Sequence, residues 1–300
     1  MPSNPAQQIC ADTSNERLLG WEVLEVRGAD ATAFLQRQTM NDVTALNAVG
    51  DSGQSHWNGL LNAKGRLQAL FLLLKVTADG WWLIAPDASA ATLNFLLRPF
   101  LFRSKLELLE RTDLAAFGRW IADVDARSWQ SLSSSISHKQ VAEFAFPSES
   151  GARELRIEPS ASAIAVDSAA DARWRLDDLR CGLPRLSALL TDSWTPHMLG
   201  LDRLHAFSLK KGCYPGQEIV ARTHYLGRSK RYLQRFDAER AIEIDAMAVN
   251  SAGEEIGNTI CNASSGVSHT ALVVTALQSL DGARLRQSQL SLRPLAFAGA

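Results

Sequence analysis

The stretch KGCYPGQEIVAR, Lys211 to Arg222, decides how this chain reads. It brings together a thiol (Cys213), a carboxylate (Glu218) and two cations (Lys211, Arg222), punctuated by Gly212, Pro215 and Gly216. Such breakers set a turn, and the apolar pair Ile219-Val220 predicts a strand leaving it. A lone cysteine in a loop is more often an inert buried side chain than a reactive one. Here Lys210 and Lys211 sit close enough in sequence to favour its thiolate. No histidine adjoins it. His205 and His224 lie farther along, so spacing alone does not support a Cys–His nucleophile.

Outward from this segment the charge is uneven. The net charge of the 300 residues is −1, which argues against generic nucleic-acid binding. Between positions 203 and 235, however, Arg203, Lys210, Lys211, Arg222, Arg228, Lys230, Arg231 and Arg235 face the single acid Glu218. A charge run is usually a solvated face. This one surrounds the motif and makes a candidate anion-binding surface for a polyglutamate tail, a phosphate or an RNA backbone. The four cysteines, Cys10, Cys181, Cys213 and Cys261, form no C-x-x-C pair. Neither a disulfide framework nor a cysteine-ligated metal or cluster is expected. No apolar run approaches membrane-span length. Met1 to Ala11 shows neither a secretory h-region nor transit-peptide arginines, so a cytoplasmic bacterial protein is expected.

Hydrophobic periodicity predicts a strand over 19–27 and a helix opened by Gly28-Ala29-Asp30 and ending near Gln38, with a turn at Asn41-Asp42. Two strands, 55–61 and 67–76, are joined by the hairpin signal Asn62-Ala63-Lys64-Gly65. A further strand covers 81–85, and Asp87 is expected to cap a helix to Leu97. Residues 128–137 are serine-rich, with Trp129 and Leu132 as anchors. Arg153 to Ile157 reads as a strand, and Asp171 to Arg180 as a helix capped by Asp171 and closed by Gly182 and Pro184. From Arg231 onward, short glycine-separated strands predict a small antiparallel barrel.

K-G-C-Y-x-G-Q-E, as it stands in Lys211 to Glu218, resembles the signature of the YgfZ family. That family comprises folate-binding proteins linked to iron–sulfur cluster assembly and repair, relatives of the glycine-cleavage T-protein aminomethyltransferase. Gly28 to Gln36 and Gln38 to Val43 resemble the opening strand–helix–turn of the same superfamily. The resemblance covers most of 18–300. It is specific at 210–222 and weak at 115–165.

The resemblance implies an α+β T-protein-like folate-binding fold over residues 1–228, with a ferredoxin-like layer inserted or adjoining at roughly 86–175. A C-terminal antiparallel β-barrel would follow over 229–300. It implies tetrahydrofolate or a derivative as cofactor, in a central cavity lined by Trp21, Trp174 and Glu218, with Arg222 among the binding residues. Cys213 would be the functional thiol near the rim. Glu218 would pair its two oxygens with the adjacent pterin donors, and the indoles would stack on the pterin. Lys211, Gly212, Tyr214, Gly216, Gln217, Lys64, Arg66 and Arg228 would be motif or anion contacts, with no metal. Iron–sulfur client or assembly proteins are the implied partners, and iron–sulfur enzymes that modify tRNA are among those served.

One departure bears on activity. Aminomethyltransferases read roughly L-N-x-x-G-G-I-x-D-D at the hairpin. This chain reads Leu61-Asn62-Ala63-Lys64-Gly65-Arg66-Leu67-Gln68-Ala69-Leu70. Ala69 and Leu70 cannot accept a proton, which disfavours aminomethyl transfer and leaves folate binding open. A tetrahydrofolate-dependent aminomethyltransferase and a non-enzymatic RNA- or protein-binding scaffold are the two rival readings.

Overall fold

The computed structural model describes residues 15–46, 55–121, 134–136, 141–149, 151–160, 166–186, 192–227, 229–276, 280 and 282–298. Cys10, Arg228, and Trp129 and Leu132 of the serine-rich segment lie outside them. The described strands form three antiparallel sheets, accompanied by four α-helices.

The first sheet has the order Ser55–Leu61, Leu67–Thr77, Gly80–Pro86, Trp21–Arg27, Glu107–Glu110. Its strand Leu67–Thr77 is buried on both faces, which is why it reads as a nearly unbroken apolar run. Leu67, Leu70, Leu72 and Leu74 point into the core shared by the three sheets. Ala69, Phe71 and Leu73 point the other way, against helices α1 (Ala31–Gln38) and α2 (Ala90–Leu97). The second sheet runs Glu16–Leu18, Leu114–Ile121, Gly151–Pro159, Ala142–Ser148, Ser134–Ile136. Helix α3 (Ser168–Arg180) packs over it. Gly118 in that sheet gives the Trp174 indole its room, since a Cβ there would lie 2.6 Å from the ring. The third sheet runs Arg284–Leu285, Met247–Val249, Glu255–Ser265, Ser268–Ala276, Arg231–Ala238, Arg293–Leu295. An Arg284–Ser291 bridge draws its two ends together into a half-barrel.

Three local expectations change. Ser89, not Asp87, caps α2, accepting from the Thr92 amide. Asp87 instead sits at φ 71 and is engaged by arginines. Asp167 caps α3, and Asp171 accepts from the Leu19 amide. Ile219-Val220 belongs to a helix, α4 (Gln217–Tyr225), not to a strand. Gly216 starts that helix in the left-handed region at φ 76. Good helix formers follow it, and of the helix only Val220 is buried, so its burial has a single face and not the alternation a strand requires.

Where the first two sheets and α3 meet, a chain of charges is buried. Arg153 and Asp178, both with fully buried side chains, pair at 2.7 Å. Arg153 also donates to the carbonyls of Pro147 and Trp174. Arg185 bridges Asp178 at 2.6 Å and Asp87 at 2.7 Å, and Arg175 donates to Asp87. Burial opposes the Arg185 charge, but Asp87 and Asp178 outweigh it and raise its pKa. Breaking a buried pair from one side leaves a charge poorly compensated, at a cost of about 3–5 kcal/mol. Arg153→Met is therefore expected to lower the unfolding free energy by about that much in urea denaturation. A loss below about 1 kcal/mol would show that this pair does not hold the sheets.

Candidate functional site

The motif turn is built by two glycines standing back to back. Gly65 at the hairpin tip has φ 68 and Gly216 has φ 76. A Cβ on Gly216 would lie 2.6 Å from the Asn62 oxygen and 2.7 Å from the Gly65 Cα. One on Gly65 would lie 2.7 Å from the Ile219 Cβ. Asn62 holds the hairpin side of this contact, its carboxamide oxygen accepting from the amides of Lys64 and Arg66. The Lys64-Gly65-Arg66 tip is thus the seat on which the motif docks. Arg66 is spent on the seat, donating to the Ser193 carbonyl at 2.9 Å, while Lys64 is exposed.

Lys211 points inward. Its ammonium donates to the carbonyls of Thr39 at 2.6 Å and Asn41 at 2.8 Å, just past the end of α1. It also lies over the Tyr214 ring at 5.2 Å. Asn41 and Asn58 complete this polar knot through the Trp57 and His205 carbonyls and the Asn41 amide. Lys211 is a tether between the motif and α1, and so a correction to its expected anion-contact role. Burial pulls its pKa down to about 8, with Asp42 opposing. Gln217 donates to the Lys211 carbonyl and Tyr214 is buried, so both shape the turn from inside.

What faces solvent is Cys213, with Gly212 before it and Glu218 after it. Cys181 and Cys261, by contrast, are buried, and burial pushes each thiol up to about 12. Glu218 is 79% exposed and pairs with Arg222 one helical turn on, at 2.7 Å. Such a surface pair contributes little stability and leaves both groups available.

Under the hairpin lies a cavity of about 130 Å³, lined among others by Ala69, Leu70, Asp87, Thr92 and Leu96. Ala69 and Leu70 are thus brought to a cavity wall, as the departure from the aminomethyltransferase pattern made worth testing. Asp87, a carboxylate on that wall, is already bound by Arg175 and Arg185. The tryptophans lie elsewhere. Trp174 is fully buried, with the Arg153 guanidinium 4.4 Å from its ring centroid and Trp120 edge-on. The Trp174 ring is enclosed on every side by protein, while Glu218 is in solvent. One cavity therefore does not take both. Trp21 is 6% exposed, lies beneath Arg185, and pairs across the sheet with Pro86 of the cavity wall. The indole nitrogens of Trp21 and Trp174 have no hydrogen-bond partner among the described residues.

The basic stretch does not make one face. Lys211 and Arg235 are buried, Arg235 against Glu149 and Asp237. Arg203 is half-buried over the Phe297 ring, and Arg222 is paired. Lys210, Lys230 and Arg231 are the exposed remainder among the described residues. No group of three or more metal-ligating side chains converges among the described residues. The charge chain of Arg153, Asp178, Arg185 and Asp87 beneath the cavity had no sequence signal beyond ordinary helix and loop arginines and aspartates.

Two expectations follow from this geometry. Gly216→Ala should cost about 2 kcal/mol or more, because the new Cβ meets backbone and the φ is left-handed. Gly212→Ala, with nothing within 4 Å of its Cβ, should stay within about 0.5 kcal/mol; paired denaturant titrations compare them. For Lys211 the sign follows from linkage. Its folded pKa of about 8 lies below the ordinary 10.5, so the folded state releases the proton first and the unfolded state holds more protons between those values. Stability should therefore rise with pH across that window relative to Lys211→Met. A wild-type-minus-variant difference that stays flat there would refute the buried ammonium.

No family model matches the chain. It is 28% identical to the tRNA-modifying protein YgfZ of Edwardsiella ictaluri, over 94% of this chain and 92% of that protein. It is 27% identical to the tRNA-modifying protein YgfZ of Vibrio vulnificus, over 77% and 72%. The crystal structure of the glycine cleavage system aminomethyltransferase T from Bartonella henselae superposes with a TM-score of 0.69 at 13% identity, covering 95% of this chain and 85% of that one. The fold is that of the T-protein, and in sequence the chain is similar, at 27–28% identity, to proteins that carry the YgfZ name.

Proposed function

We propose that this protein binds tetrahydrofolate or a derivative and supports iron–sulfur cluster assembly or repair in the cytoplasm, and through it iron–sulfur enzymes that include tRNA-modifying ones. The observation that carries the reading is the cavity beneath the hairpin. It has an apolar wall at Ala69 and Leu70, and its carboxylate, Asp87, is neutralised by two guanidiniums. A flat heteroaromatic ring suits such a wall, with Gln68 and Thr92 as polar neighbours. Aminomethyl transfer is not part of the proposal. It needs a group there to take or give a proton, and neither alanine, leucine nor a doubly ion-paired aspartate serves. Arg222, exposed in the last turn of α4, and Lys64 at the hairpin tip are the cations open to the carboxylates of a folate's glutamate end, with Glu218 exposed beside Arg222. Cys213 is the exposed thiol of the same turn and is assigned the functional role there.

Calorimetric titration with tetrahydrofolate tests this. Wild type should bind saturably. Ala69→Trp, which fills the cavity from its wall, and Thr92→Trp, which closes it from the exposed side of α2, should each weaken binding at least about tenfold with unchanged circular dichroism. Absence of binding in wild type, or full affinity in folded Thr92→Trp, would remove the site.

A further inference from the structure

The segment from Phe95 to Lys105 carries a surface that the folate reading leaves unused. Phe95 is 75% exposed, Phe100 51% and Phe102 89%. Arg98, Arg103 and Lys105 are exposed among them, and the segment contains no acid. None of these cations joins a described ion pair. Single exposed apolar residues are ordinary, but three aromatics in one short segment are not scattered. Helix α2 buries Ala90, Leu93 and Leu97, leaving Phe95 off its packed side. The 3-10 turn Arg98–Phe100 buries nothing.

The conformation of the segment is held, not loose. Phe102 stands at φ 37, a left-handed backbone that disfavours a bulky side chain. The Ser104 amide donates to the Leu101 carbonyl, and the Lys105 amide donates to the Asp30 carboxylate at the start of α1. The Arg103 guanidinium lies 5.1 Å from the Phe102 ring centroid. A fixed exposed aromatic carrying a cation is a stacking platform beside a phosphate site.

We propose that residues 95–105 form a docking strip for single-stranded RNA, with bases stacked on Phe100 and Phe102 and phosphates held by Arg98, Arg103 and Lys105. An anionic bilayer presents the same charge but as a plane. Beside the strip, Glu107 and Glu110 are exposed, and such a plane would meet them, whereas one narrow strand passes them by. The strip is independent of folate, because Thr92 and Leu96 of α2 line the cavity while Phe95 and the three cations do not.

Fluorescence anisotropy with a labelled oligouridine of about 12 nucleotides decides it. Wild type should bind saturably, and binding should weaken steeply with added salt. Phe100→Ser/Phe102→Ser should bind at least about tenfold more weakly. Phe102→Trp, which keeps a stacking face, should bind as wild type. Arg98→Glu/Arg103→Glu should abolish binding, with melting temperature unchanged in all variants. No saturable binding by wild type, equal binding by the serine variant, or cosedimentation with phosphatidylserine vesicles that the serine variant loses while its RNA binding persists would each overturn the proposal.

Discussion

The charge chain Arg175–Asp87–Arg185–Asp178–Arg153, buried from Arg185 to Arg153 and part-exposed at Arg175, is the constraint on which the molecule's centre depends. Its members come from the turn after Gly80–Pro86, from Gly151–Pro159, from α3 and from the loop after α3. A shift of the elements that carry Arg153, Asp178 and Arg185 would separate charges that have almost no water to fall back on. The chain also explains the left-handed Asp87. Its amide donates to the Gly20 carbonyl while its carboxylate turns to face two guanidiniums. The cavity under the hairpin therefore rests on a rigid, charge-compensated floor.

The motif divides into an inward and an outward half. Lys211, Tyr214, Gly216 and Gln217 fasten the turn to α1 and to the hairpin tip. Cys213, Glu218 and Arg222 are then presented on a turn that cannot slide. A buried lysine held by two carbonyls is a costly tether, and its position beside the only exposed thiol among the described residues ties the geometry of that thiol to the core.

Much of the fold was legible. The hairpin strands, the first helix and the succession of short C-terminal strands follow from periodicity and glycine placement, because burial on one or two faces leaves its mark on local composition. The misread elements share a cause. Asp87 and Asp171 look like helix caps because an aspartate before a helix usually is one, but each is drawn away by a partner distant in sequence, Arg185 and the Leu19 amide. Ile219-Val220 looks like a strand because two β-branched residues outweigh the helix-starting Gly216 until its contact with Gly65 is known.

The candidate site was legible as a segment and not as an arrangement. Residue order placed Cys213 on a glycine-set turn, and the resemblance to the aminomethyltransferases implied that Ala69 and Leu70 stand where those carry aspartates. Tertiary structure decided which side chains face in. Lys211 and Arg235 leave the basic run for the interior, Trp174 is closed off by Arg153, and Glu218 comes out into water. Charge and residue type are properties of the chain, whereas desolvation depends on which distant backbone carbonyls and carboxylates the fold brings within hydrogen-bonding reach.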